Sequence, residues 1–170
     1  MSPFPIKPSN NRFRAATDGF REFRSSGRRG VPESETPFAS SNGNRVLLLE
    51  DDTALSELLA DFLTENGFEV IPVRNGVEGV HQVLKGDFEV ILCDLMMPAL
   101  PGDMFFRAVG RMRPHLCERF IFMTGHSASP TVDRLVASAN NAVLAKPFDF
   151  NDLLELIAFI RVRNIQLAAA

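Results

Sequence analysis

The chain has 170 residues, of which 45% are hydrophobic and 23% charged, and its formal net charge is -3. These values are typical of one soluble globular domain with a tail, and they exclude a chain that is disordered throughout. No run approaches the ~20 apolar residues of a transmembrane helix, and we expect no secretory signal at the start. The charge gives no case for wholesale nucleic-acid binding. Two cysteines, Cys93 and Cys117, cannot form a disulfide framework, so we expect a cytoplasmic protein.

Residues 1–44 differ in composition from the rest of the chain. They carry seven Lys or Arg against four acids, a net +3, whereas residues 45–170 carry a net -6. They are rich in Pro, Ser, Asn, Gly and Arg and lack a sustained apolar period. We therefore expect a basic, disordered N-terminal extension. A solvated leader is the simplest interpretation, and contact with a membrane, an acidic partner or nucleic acid is the alternative.

From residue 45 onwards, apolar strands alternate with amphipathic helices. The first strand, 45–50, contains a continuous apolar run, Val-Leu-Leu-Leu, between Arg45 and Glu50, as expected of a strand that is buried on both faces. A helix follows over 52–66, and Gly67 is a natural stop. The later strands are predicted at 68–73, 88–93, 120–123 and 142–145, and the later helices at about 76–85, 103–112, 130–139 and 150–162. We expect one domain over 45–165 and a tail over 166–170.

This alternation predicts an α/β fold with a doubly wound parallel sheet and helices on both faces. Right-handed crossovers leave few topologies for five such units. In sheets of this kind, ligands bind at the carboxyl ends of the strands, beside the point where the strand order reverses. The residues that follow each predicted strand are therefore the candidates for function.

Four of the five predicted strands end in a polar side chain that can do chemistry. These are Glu50, Asp51 and Asp52 after the first strand, Asp94 after the third, Thr124 after the fourth and Lys146 after the fifth. Clustered carboxylates repel one another and raise their pKa values unless a cation neutralises them. Mg²⁺ prefers one or two carboxylates together with water and phosphate oxygens. The sequence therefore predicts a divalent-cation site at this edge of the sheet.

With these motifs, residues 45 to about 165 resemble the receiver domain of two-component response regulators, in its single-domain, chemotaxis-receiver form. The signature is Glu50-Asp51, then Asp94-Leu-Met-Met-Pro98 with Gly102, then Thr124, then Lys146-Pro147. Each motif alone is weak, but all of them in order, each at the end of its strand, are specific. The resemblance implies a flavodoxin-like, five-stranded parallel sheet in the order 2-1-3-4-5 with five helices.

The resemblance also implies a role for each residue of the signature. Asp94 is the expected phospho-acceptor, which attacks the phosphohistidine of a histidine kinase or a histidine phosphotransfer protein. Mg²⁺ or Mn²⁺ is expected as cofactor. Its implied ligands are Glu50, mostly through water, Asp51, Asp94 and the backbone carbonyl of Met96.

Further positions are implied to bind or modulate the phosphoryl group. Lys146 and Thr124 are expected to contact its oxygens, and Gly125, without a side chain, leaves that approach open. His126 lies two residues after Thr124, where with Met96 it is expected to tune the rate of hydrolysis; plain exposure on a loop is the alternative. Pro147 fits a rigid turn that orients Lys146, and X-Pro bonds tolerate the cis form.

Other features of the sequence are more ordinary or depart from the family. Asp52 is expected to cap the following helix. The three histidines show no metal-ligand spacing, so a zinc site is not predicted. Receivers usually carry Tyr or Phe three residues before the lysine, but here that residue is Val143. The usual coupling between threonine and aromatic ring is therefore in doubt.

We expect a stand-alone receiver, because only residues 164–170 follow the last predicted helix and leave no room for a DNA-binding domain. Its output is then a protein contact or onward transfer of the phosphoryl group, with no direct DNA binding, no membrane span and no external substrate. One alternative is a receiver-shaped scaffold that is not phosphorylated, which Val143 mildly favours. The other is an aspartyl-phosphate phosphohydrolase, although such enzymes usually carry a second acid where this chain has Met96.

Overall fold

The computed structural model describes residues 13–15, 44–125, 130–139 and 141–168. The strands are β1 (Phe13–Ala15), β2 (Arg45–Leu49), β3 (Glu69–Val73), β4 (Val90–Asp94), β5 (Phe120–Thr124) and β6 (Ala142–Ala145). The helices are α1 (Thr53–Glu65), α2 (Gly76–Lys85), α3 (Gly102–Met112), α4 (Pro130–Ala139) and α5 (Phe150–Ala168), with a 3₁₀ helix at Pro114–Arg119.

The strands form one sheet in the order β1-β6-β5-β4-β2-β3, in which β2 to β6 are parallel. Counted from the first predicted strand, the parallel part has the predicted order 2-1-3-4-5, so the fold class is confirmed. The chain reverses its direction of travel across the sheet between β2 and β4. Because all five strands are parallel, their carboxyl ends meet at the same edge.

Strand β1 is an addition that the sequence does not predict. It pairs antiparallel with the outer edge of β6, with Phe13 opposite Leu144 and Ala15 opposite Ala142. We expected disorder over residues 1–44, and three of those residues form a strand. Three residues are too few to show a strand period, and their pairing depends on an edge far away in sequence. Residues 1–12 and 16–43 lie outside the described part of the chain.

Alternate residues of the central strands pack into two separate cores. Val46 and Leu48 of β2 face one core, which α1 and α5 cover, whereas Leu47 and Leu49 face the other, which α2, α3 and α4 cover. All four side chains are fully buried. The continuous apolar run in β2 therefore has the cause that the sequence predicts: both faces of the sheet are covered by helices.

Local signals set the ends of the first helix, which follows the candidate site. Asp52 caps α1 as predicted, because its Oδ1 accepts the N–H of Leu55 at 3.1 Å. The chain leaves α1 through Gly67, whose φ of 88° lies in the left-handed region that favours glycine.

The last helix is longer than predicted. We expected α5 to end near Val162 and residues 166–170 to form a tail, but the helix continues to Ala168. Residues 163–168 contain neither glycine nor proline, so no local signal ends the helix there. Among the described residues, none of the helices has the length and apolar character needed to cross a membrane.

Candidate functional site at the strand ends

The predicted polar residues converge at the carboxyl edge of the sheet. Asp94 and Thr124 are the last residues of β4 and β5, and Lys146 directly follows β6. In the strand register, Asp94 lies beside Met123, and Thr124 lies beside Ala145. The backbone N–H of Lys146 donates to the carbonyl of Thr124 at 2.8 Å. The sheet therefore fixes the positions from which these side chains reach inwards.

Asp94 is held at both of its carboxylate oxygens. Its Oδ1 accepts the backbone N–H of Met96 at 2.9 Å, and its Oδ2 lies 2.5 Å from the Nζ of Lys146. The residue is only 6% exposed. These two contacts fix the plane of the carboxylate, while the remaining exposure leaves it open to a small group from solvent.

Glu50 and Lys146 form an ion pair that the sequence does not predict. The Nζ of Lys146 lies 2.7 Å from Oε2 of Glu50, so this ammonium bridges the carboxylates of Glu50 and Asp94. We expected Glu50 to bind a metal, mostly through water, and Lys146 to contact a phosphoryl oxygen. No local pattern reveals the pair, because the two residues are 96 positions apart.

Burial and ion pairing have opposite effects on the pKa values of Glu50 and Lys146. Glu50 is 1% exposed, and burial raises its pKa even though Lys146 lowers it through a hydrogen bond and its charge. Burial also disfavours the ammonium of Lys146, but hydrogen bonds to Asp94 and Glu50 and their charges together outweigh it and raise the pKa of Lys146. Lys146 is therefore protonated at neutral pH and neutralises part of the acidic cluster.

Asp51 completes a cluster with the chemistry of a hard-cation site. Ligand oxygens of Glu50, Asp51 and Asp94 all lie within 4.8 Å of one another, and Asp51 is exposed to solvent. The charge of three carboxylates exceeds that of the one ammonium that bridges two of them. All three donors are carboxylate oxygens, which Mg²⁺ and Mn²⁺ prefer. The residues present therefore fit a divalent cation; ligation by the Met96 carbonyl stays a prediction.

Gly102 has a structural role that its place in the motif alone does not reveal. A Cβ at this position would lie 2.4 Å from the carbonyl oxygen of Asp94 and 2.9 Å from Sγ of Cys93. Only glycine lets α3 begin this close to the end of β4. Cys93 itself is fully buried, and burial raises the pKa of its thiol well above the usual value, so it is an apolar core residue as predicted.

The structure describes all but one of the remaining predicted site residues. Thr124 is buried, and a Cβ on the exposed Gly125 would meet nothing within 4 Å, so space beside Gly125 is open. The Lys146-Pro147 peptide bond is cis. His126 lies outside the described residues. Val143 is 1% exposed and belongs to the core cluster that contains Phe122.

Comparisons with known proteins agree with this arrangement. A family model described as the response regulator receiver domain matches residues 46–158. The response regulator receiver protein CpdR of Brucella abortus is 30% identical over 113 residues, which cover 66% of this chain and 92% of that protein. Three other curated relatives are longer, and the chain spans 54%, 24% and 48% of their lengths.

Solved structures show the same fold. A CheY-like receiver domain protein from Methanospirillum hungatei superimposes with a TM-score of 0.66 at 26% identity, over 73% of this chain and 98% of that one. The second structure is the receiver domain of the sensor histidine kinase PA1611 from Pseudomonas aeruginosa, which has a magnesium ion coordinated in the active-site cleft. It superimposes with a TM-score of 0.62 at 25% identity, over 69% of this chain and 98% of that one. The acidic cluster, the family match and these neighbours agree, and the chain belongs to the response regulator receiver family.

Proposed function

We propose that this receiver accepts a phosphoryl group on Asp94 from the phosphohistidine of a histidine kinase or a histidine phosphotransfer protein. The observation that carries the proposal is the state of the Asp94 carboxylate. It is nearly buried, is fixed by Met96 and Lys146, and lies beside two further carboxylates within 4.8 Å. A fixed nucleophile in a site where charge can be neutralised is what phosphoryl transfer needs.

The transfer follows from the groups at the site. A carboxylate oxygen of Asp94 forms a bond to phosphorus while the bond from phosphorus to the donor's imidazole nitrogen breaks. The bonding electrons return to the imidazole, which takes a proton from solvent, and an acyl phosphate remains on Asp94. The ammonium of Lys146, which contacts the Asp94 carboxylate, is proposed to pair with a phosphoryl oxygen, and the Thr124 hydroxyl is proposed to donate to another.

The proposed cofactor is Mg²⁺, with Mn²⁺ as a substitute. Glu50, Asp51 and Asp94 would hold the ion, together with the backbone carbonyl of Met96. When bound, the ion supplies positive charge that offsets repulsion between the carboxylates and the incoming phosphate. The magnesium ion in the Pseudomonas aeruginosa receiver supports this assignment.

We further propose that the chain works in the cytoplasm as a stand-alone signalling protein with no external substrate. Residues 45–165 are the proposed receiver and residues 1–44 an extension to it. Output would be a protein contact or onward transfer of the phosphoryl group, without direct DNA binding. The match to CpdR over 92% of that protein supports a receiver that needs no further domain. His126 is proposed to tune hydrolysis, and an unchanged phosphoryl lifetime in His126→Ala would refute this.

The test is incubation of the full chain with acetyl phosphate, followed by intact-protein mass spectrometry. We expect the mass of one phosphoryl group to be added with Mg²⁺, and none to be added with EDTA or in Asp94→Asn. Asp61→Asn, which changes an exposed acid on α1, is the matched control and should be phosphorylated like the parent.

The other outcomes separate the alternatives. No mass gain with acetyl phosphate or with any phosphorylated histidine kinase would favour the unphosphorylated scaffold. Repeated turnover of a phosphomonoester, lost in Asp94→Asn, would favour the phosphohydrolase.

A further inference from the structure

The methionines of the chain differ widely in their exposure to solvent. Among those that the structure describes, Met96, Met104 and Met112 are 67%, 52% and 38% exposed. Met97 and Met123 are buried in the two cores. A dissolved oxidant has to reach the sulfur before it can react, so oxidation should follow exposure. Met96 is therefore the described methionine that a peroxide should oxidise first.

Met96 is also the methionine that contacts the proposed phospho-acceptor. Its backbone N–H donates to Oδ1 of Asp94 at 2.9 Å, and its sulfur is only the third side-chain atom from the Cα. Because Met96 is largely exposed and Asp94 is nearly buried, this side chain extends on the solvent side of the carboxylate. A phosphoryl group on Asp94 would therefore lie close to Met96, on the side from which water arrives.

We propose that Met96 is a redox-modification site, and that its oxidation to the sulfoxide by a hydroperoxide shortens the lifetime of the phosphoryl group on Asp94. The inference rests on the proposed function, because it concerns the loss of that group. In the oxidation, the sulfur lone pair forms a bond to the terminal peroxide oxygen while the O–O bond breaks. The sulfur loses two electrons and the peroxide gains them. The proton of the attacked oxygen passes to the other oxygen, which leaves as water or an alcohol.

The oxidised side chain differs from the thioether in how strongly it binds water. A thioether sulfur is a weak hydrogen-bond acceptor, whereas the sulfoxide is polar and its oxygen accepts readily. Beside Asp94, this oxygen accepts a hydrogen bond from a water molecule and holds the water near the phosphorus. The water oxygen bonds to phosphorus as the bond from phosphorus to Asp94 breaks. The carboxylate is restored, phosphate leaves and the proton of the water passes to solvent.

The first measurement locates the oxidation. The full chain is treated with hydrogen peroxide in EDTA, the peroxide is removed with catalase, and peptide mass spectrometry follows the sulfoxide at each methionine. This readout needs neither a metal ion nor phosphorylation. We expect Met96 to oxidise at least about tenfold faster than its buried neighbour Met97. Equal rates at these two residues would overturn the proposal.

The second measurement is the lifetime of the phosphoryl group. Oxidised and untreated chains are phosphorylated with acetyl phosphate and Mg²⁺, freed of the donor and followed by intact-protein mass spectrometry. We expect about tenfold faster loss from the oxidised parent, which is the gain expected from one new hydrogen bond. Met96→Leu should have the same lifetime with and without peroxide. Met104→Leu combined with Met112→Leu, both on α3, is the matched control and should respond to peroxide like the parent.

Met96→Gln is a second variant, and it needs no peroxide. Its side chain has a carbonyl oxygen in place of the sulfoxide oxygen, so it should lose the phosphoryl group faster than Met96→Leu does. The proposal is overturned if peroxide leaves the lifetime of the parent unchanged, if Met96→Leu responds like the parent, or if Met96→Gln is no faster than Met96→Leu. A parent that is never phosphorylated, even untreated, would instead refute the proposed function and this inference with it.

Discussion

The two ends of the sheet differ in how their carboxylates are paired with basic side chains. At the amino ends of the strands, the carboxylates have their own basic partners: Arg113 and His115 contact Asp87, and Arg161 lies 2.7 Å from Glu89. At the carboxyl ends, the acidic cluster has three carboxylates, and the ammonium of Lys146 contacts two of them, those of Glu50 and Asp94. The amino end is balanced by the chain itself, whereas the carboxyl end carries an excess of negative charge.

The ion pairs at the amino ends therefore stabilise the fold, whereas the acidic cluster at the carboxyl ends is suited to binding a ligand. A balanced pair already has its partner, so a cation adds little to it. An unbalanced cluster of carboxylates gains free energy from a cation or from a group that brings one. Variants at the two ends should therefore differ in their response to Mg²⁺ as well as in stability.

The largest effect on stability is expected from Lys146→Ala. Removing the ammonium leaves Glu50 buried beside Asp94 without its partner, and we expect a loss of about 3 kcal/mol in the free energy of unfolding without divalent cations. Mg²⁺ should restore part of this loss. Urea denaturation with Mg²⁺ or EDTA measures both effects, and Lys85→Ala, on an exposed helix end, should change stability by less than about 0.5 kcal/mol.

This variant also has a predicted pH dependence. The pKa of Glu50 is raised by burial above its ordinary value of 4.5, and loss of Lys146 should raise it further. The folded state then favours protonated Glu50, so the penalty is absent below pH 4.5 and grows as pH rises through the folded-state pKa. A penalty that is the same at all pH values would contradict this account of the pair.

Gly102→Ala should have the next largest effect. The new Cβ meets backbone at the end of β4, so we expect a loss of about 2 kcal/mol and slower phosphorylation, because the backbone of Asp94 has to shift. Gly125→Ala is the control, since open space surrounds that Cβ, and its stability should stay within about 0.5 kcal/mol of the parent. Thermal unfolding compares the two; equal stabilities would show that the close approach is not required.

A smaller effect is expected at the balanced end from Arg161→Lys. Lysine keeps the charge but loses the planar group that contacts both Glu89 and Asn44, and we expect a loss of about 1 kcal/mol. Titration calorimetry should give the same Mg²⁺ affinity as for the parent. Arg74→Lys, an exposed site, is the control. A changed Mg²⁺ affinity would mean that the two ends are coupled.

The smallest effect is expected from Asp87→Asn. The hydrogen bond from His115 and the charges of Arg113 and His115 lower the pKa of Asp87 below its ordinary 3.8, while solvent screening limits the loss to about 0.5 kcal/mol. A lowered pKa adds stability above pH 3.8 that is lost as pH falls through the folded-state value. Parent and variant should therefore converge in acid; a gap that persists in denaturant titrations at low pH would refute this.

The sequence predicts the parallel sheet and which residues form the site, because both depend on local patterns. Apolar runs mark β2 to β6, and the residues after them must meet at one edge, which places Asp94 near Asp51 without any structure. Burial and distant contacts decide the rest. The bridge from Lys146 to Glu50, the close approach at Gly102 and the pairing of β1 with β6 all depend on segments far apart in the chain.

The most direct test of the central claim is to locate the phosphoryl group. The chain is phosphorylated with acetyl phosphate and Mg²⁺, the acyl phosphate is reduced with borohydride, and the modified carboxyl is mapped by peptide mass spectrometry. We predict reduction at Asp94 alone and none in the unphosphorylated chain. Reduction at Glu50 or Asp51 instead, or at no carboxyl of the cluster, would contradict the account.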